Sequence, residues 1–101
     1  SGGTAWQAVS AAATISVASG NGYFLNTTGN AITATLPASP TLGDEISFAD
    51  YAGTFDSYNL TVARNGKKIQ GATADLTVST ERAAFTLVFT DDTQGWLLKN
   101  K

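Results

Sequence analysis

The 101-residue chain contains no cysteine, no histidine and no methionine, and only two prolines. Without cysteine there is neither a disulfide nor a thiolate metal site, so the fold must rest on its apolar core, and redox chemistry says nothing about compartment. Without histidine the commonest general base and the commonest transition-metal ligand are both missing, which starts any enzymatic reading from a weak position. Charge is sparse as well, at 14% of residues against about 25% in an average globular domain. Threonine, serine, asparagine and glycine carry the polarity instead. The formal net charge of -2 gives no electrostatic case for binding nucleic acid or an anionic membrane. No apolar run is long enough to cross a bilayer as a helix, and Ala8 to Ala18 is too polar, and lacks the basic flank, for a secretion signal. The opening Ser1-Gly2-Gly3, together with the absence of methionine, reads as a scar or protease-trimmed junction, so residues 1–4 are assigned as a linker and 5–101 as one domain cut from a longer protein.

What the chain has in quantity is alternation. Ile32, Ala34 and Leu36 trade places with Thr33 and Thr35, which puts three apolar side chains on one face of an extended segment and hydroxyls on the other. Pro37 and Pro40 stop that strand by fixing φ and removing two amide donors. After Gly43-Asp44, Ile46 and Phe48 resume the pattern, with Leu42 expected to plug the corner between the two strands. The same period marks Thr14 to Ala18, Tyr23 to Asn26, Leu60 to Ala63, Leu76 to Ser79, Phe85 to Thr90 and Trp96 to Lys99. Thr27-Thr28-Gly29-Asn30 is expected to join Tyr23–Asn26 to Ile32–Leu36 as a hairpin. Asn65-Gly66 is the strongest tight-turn signal, followed by a short return strand at a sheet edge guarded by Lys67 and Lys68. Val88 indicates that the Phe85–Thr90 strand is central. About eight to ten short strands at roughly ten-residue spacing, with no helix, predict an all-β domain: an antiparallel β-sandwich, or alternatively a small barrel. Its expected core is Ile15, Val17, Tyr23, Leu25, Ile32, Leu36, Ile46, Phe48, Leu60, Val62, Leu76, Val78, Phe85, Leu87, Phe89, Trp96 and Leu98.

Reactive constellations are absent from the pattern. Asp44-Glu45 are neighbours on a strand and point to opposite faces, and Asp91-Asp92 fall in a hairpin turn where aspartate is ordinary. No EF-hand spacing is present, nothing activates a serine or threonine, and Gly20-Asn21-Gly22 lacks the Gly-Lys-Ser/Thr of a phosphate loop. No catalytic residue, metal ligand or cofactor is assigned. The segment that stands out is Asp50 to Asn59, a loop holding three of the aromatics. Asp50, Tyr51, Phe55, Tyr58 and Asn59 together are the candidate ligand-binding set, because aromatics beside Asp and Asn can stack a pyranose face and bond its hydroxyls. The competing explanation is that Phe55 and one tyrosine plug an end of the sandwich.

Several segments carry a resemblance: Gly22-Tyr23-Phe24-Leu25-Asn26-Thr27-Thr28, Ile32 to Pro40, Gly43-Asp44, Asp50 to Phe55, Asn59 to Gly66, Ile69-Gln70-Gly71 and Gln94-Gly95-Trp96. From Trp6 to Leu98 the chain resembles a small β-domain of tailed-bacteriophage virion proteins, among them tail fibres, tail spikes and baseplate components. The resemblance implies a non-enzymatic module on the virion surface, in a homotrimer with other virion proteins as neighbours and a bacterial surface glycan as a possible ligand. It supplies no catalytic residue. The alternative class is a free-standing carbohydrate-binding module working through the aromatic loop, and an enzyme such as a depolymerase would need a carboxylate pair in a cleft.

Overall fold

The computed structural model describes residues 3–100, excepting the side chain of Asn100; Ser1 and Gly2 of the expected linker lie outside the described residues, while Gly3 and Thr4 are exposed and precede the first strand. The chain is all-β with no helix among the described residues. The described residues form nine strands, β1 (Ala5–Trp6), β2 (Thr14–Ser16), β3 (Asn21–Leu25), β4 (Ile32–Thr35), β5 (Glu45–Asp50), β6 (Leu60–Ala63), β7 (Leu76–Val78), β8 (Ala84–Asp91) and β9 (Gly95–Asn100). They form a five-stranded sheet in the order β1-β3-β5-β8-β9 and a four-stranded sheet in the order β2-β4-β6-β7.

The pairing is mixed and corrects the expectation of antiparallel sheets. β1 to β3, β3 to β5, β2 to β4 and β4 to β6 all pair in parallel; only β5–β8, β8–β9 and β6–β7 are antiparallel. Successive strands from β1 to β6 alternate between the sheets, so the chain winds in a coil. Each turn of two strands is laid on the one before. The expected hairpin between Tyr23–Asn26 and Ile32–Leu36 does not form, because Asn26 to Ala31 carries the chain across to the other sheet. The side chain of Asn26 accepts the N–H and hydroxyl of Thr28, tightening the corner, and Thr27 is buried with its hydroxyl 2.6 Å from that of Thr54 in the next corner. Corners therefore stack as strands do: Asn26 N–H donates to the carbonyl of Ser10, and Tyr51 N–H to that of Leu25.

Alternation gathers residues of both sheets into one apolar cluster. Tyr23, Leu25, Ile46, Phe48, Leu87 and Trp96 from the first meet Ile32, Ala34, Leu60 and Val62 from the second. Phe48 sits between Tyr23 and Phe85, with ring centroids 6.2 and 5.2 Å away. Of the expected core, Ile15, Leu76, Val78 and Leu98 are only half-buried, since β2, β7 and β9 are edge strands; Ala34, Phe55 and Ile69 join the core instead. β8 lies between β5 and β9, the central place that Val88 indicated.

Two local expectations need correction. Leu42 plugs nothing: it is 80% exposed, in a turn held by the Asp44 carboxylate on Thr41 N–H and by Gly43 at φ 90°. Leu42→Ser should change stability by less than about 0.5 kcal/mol in urea denaturation, as befits a side chain that gives up little surface on folding. The Asn65-Gly66 turn does form, with φ of 51° and 93°, but the segment after it leaves β6. Lys68 to Gly71 runs along β9 instead: Trp96 N–H donates to Lys68, Gln70 N–H to Trp96 and Gly71 N–H to Gln94. Gln70 Oε1 accepts Leu98 N–H at 3.0 Å, so this strap closes the outer edge of β9. β6 finds its antiparallel neighbour only at β7.

Candidate functional site

The aromatic loop is organised by Asp50, the last residue of β5. Its Oδ1 accepts N–H from Gly53 and Thr54 at 3.0 and 3.1 Å, and its Oδ2 accepts N–H from Phe55 and Arg82 at 3.1 and 2.9 Å. Burial acts to raise the Asp50 carboxyl, but the four backbone donors together outweigh it and hold the group below the ordinary aspartate range. Arg82, at φ 62°, returns a second clamp by donating from Nη1 to the Tyr51 carbonyl at 2.8 Å. A tight turn follows, with Ser57 and Tyr58 N–H both on the Thr54 carbonyl.

This wiring divides the five candidate residues. Phe55 is wholly buried in the core, and the Asp50 carboxylate is committed to its four amides. Tyr51 and Tyr58 are 51% and 47% exposed, and Asn59 is exposed beside them in sequence. No ring contact joins the two tyrosines among the described residues, so they offer separate faces on one braced loop. Such an arrangement can stack a flat apolar face and donate a phenol hydrogen bond. The loop's other carboxylate, Asp56, is exposed, and among the described residues no three acidic or other metal-binding side chains gather.

Two surface features escape the sequence reading. Trp6 lies on the outer face of the five-stranded sheet, stacked on Phe24 with centroids 4.6 Å apart and covering Gly22, where a Cβ would come within 2.5 Å of the indole. Beside it the hydroxyls of Ser47 and Thr86 meet at 2.8 Å. Phe24 was legible as outward, because it stands between inward Tyr23 and Leu25; that Trp6 would reach it depended on the parallel register Trp6↔Gly22. The second feature is an apolar cleft of about 350 Å³ between the β7 and β8–β9 edges, lined by Leu76, Val78, Ala83, Phe85 and Leu98 among others. No family model matches this chain, and no curated protein matches it.

Proposed function

We propose that this chain is a structural and adhesion module of a tailed-bacteriophage tail fibre or baseplate protein, its two sheets packed as a sandwich, held in a homotrimer on the virion and turned toward a bacterial surface glycan. The observation that carries the reading is the coil. β1, β3 and β5 on one side, and β2, β4 and β6 on the other, stack in parallel register, so the body grows along one direction by adding turns of chain. Such a body suits a fibre, where modules are set end to end. The segments that carry the resemblance fall on its strands and stacked corners, among them Gly22 to Thr28 and Asp50 to Phe55.

Light scattering tests the assembly: a particle whose mass is a multiple of three chains supports the reading, and a monomer or simple dimer overturns the homotrimer. Adhesion is read separately. The Tyr51→Ala/Tyr58→Ala double variant should lose most of its binding to host cells or surface polysaccharide while keeping stability within about 1 kcal/mol, because both rings are half in solvent. Unchanged binding would remove the loop from the adhesive surface. The alternative reading, a free-standing carbohydrate-binding module, draws on the same two exposed tyrosines and differs in requiring a monomer with glycan affinity of its own.

A further inference from the structure

The two ends of the coil are built differently. At one end β9 is covered along its outer edge by the Lys68–Gly71 strap and by the Gln70 side chain, and charge is close by in the Lys67–Asp92 and Lys99–Glu45 pairs. At the other end β1 and β2 are the terminal strands of their sheets, and no described strand lies beyond either. Their inner bonds fix which groups face out. Ala5 and Gln7 donate to Gly20 and Gly22 on the β3 side, so by alternation Trp6 directs its N–H and C=O away from the sheet. Val17 donates to Thr35 and Ala13 accepts from Thr33, which turns Thr14 and Ser16 outward in the same way. Exposed main-chain edges of this kind are templates for another strand, and natural proteins guard them with lysine, proline or a covering segment.

Among the described residues this end carries no such guard. Residues 1–43 contain no Asp, Glu, Lys or Arg at all, and the first charged side chain in the chain is Asp44. From Gly3 to Ser16 every residue is exposed except Ser10 and Ile15, which are half-buried, although the segment holds five alanines together with Trp6, Val9 and Ile15. Trp6 and Val9 stand 46% and 45% exposed.

We infer that residues 3–16 form a docking edge that takes the same edge of a second copy of this chain, extending both sheets across the contact. Two observations choose a second copy. Identical copies meeting here face each other with no charged side chain on either side, whereas the strapped and charged end offers this edge no free strand in the five-stranded sheet. The pairing is also self-complementary: across a two-fold axis the strands run antiparallel, and Trp6, with both main-chain groups outward, can exchange N–H···O=C bonds with its own counterpart. The edge strands are short, but they act together, since both lie at the same end of the coil.

The inference does not rest on the fibre reading, and light scattering on the 101-residue chain separates the two. Thr14→Pro removes an outward N–H and no inward bond, and Ser16→Lys sets a charge in each copy against its mate. Each variant should have half the particle mass of the unmodified chain and self-associate about tenfold or more weakly, with circular dichroism and melting temperature preserved. Thr77→Lys, on β7 at the far end, should leave the mass unaltered. Equal mass for the unmodified chain and both edge variants would overturn the docking edge, as would halving by Thr77→Lys. Whether the halved particle holds one chain or three bears on the fibre reading alone.

Discussion

Gly95→Ala is expected to destabilise the domain by about 3 kcal/mol or more, among the largest effects of any single methyl group in this chain. Gly95 opens β9 at φ 76°, and a Cβ built there lies 1.9 Å from the carbonyl oxygen of Lys68, with the carbonyl carbon at 2.5 Å. Both obstacles are backbone, so no rotamer change relieves them. The carbonyl in question is the one that Trp96 N–H reaches at 2.8 Å, and moving it would pull the strap off β9 and loosen Trp96, which is fully buried and packed edge-on against Phe89. Gly43→Ala supplies the comparison. Gly43 has φ 90° but nothing within 4 Å of its added Cβ, so it carries only the left-handed penalty of about 1–2 kcal/mol. Urea denaturation of the two variants should therefore give a clearly lower midpoint for Gly95→Ala. Equal midpoints would mean that the strap yields freely and does not hold the end of the coil.

The strap also shows why only part of this fold was legible. Alternation reports which face of a strand is buried, and it did so correctly for Ile32, Leu36, Ile46, Phe48, Leu60, Val62 and Leu87. It does not report which strand lies alongside, because a parallel and an antiparallel neighbour ask for the same two-residue period. Asn26 to Ala31 has the composition of a hairpin turn, and what diverts it is Thr27, whose buried hydroxyl is answered by Thr54, a residue 27 positions later. Asn65-Gly66 makes the turn its sequence demands, yet the direction of the chain afterwards is decided by the open amide and carbonyl groups of β9. In the aromatic loop, length and composition marked the segment. The division of labour within it follows from polarity: Phe55 has no polar handle and goes inside, while Tyr51 and Tyr58 keep their hydroxyls at the surface. Asp50 stood in the candidate set as a possible ligand group, and only the fold around it shows that its carboxylate serves the backbone of the loop and of Arg82.

Removing that carboxylate should be as damaging as any core truncation. Asp50→Ala leaves the amides of Gly53, Thr54, Phe55 and Arg82 without their acceptor, and the expected cost is about 3–5 kcal/mol: a buried unsatisfied donor costs roughly 1–3 kcal/mol, but the loop rim is open enough for water to recover some of the four. Phe55 should loosen with them, since its N–H is one of the four and its ring is the part of the loop that reaches the core. Asp50→Asn should lose less, because one oxygen remains while an NH₂ now faces amides that also donate. The pH dependence separates the charge from the shape. The Asp50 carboxyl is held below its ordinary range in the folded state, so the folded chain binds its proton less readily than the unfolded chain does. Its contribution is complete above the unfolded value of about 3.9 and is lost as pH falls through the lower folded value. The stability gap between the parent chain and Asp50→Asn, measured by urea denaturation, should hold steady from neutral pH down to about 5 and then narrow as pH falls further, with Tyr51 and Tyr58 becoming more mobile in the parent over the same range. A gap that stays constant through the acid limb would show that the four amides respond to the oxygen's position and not to its charge, and the loop would then owe its rigidity to Phe55 alone.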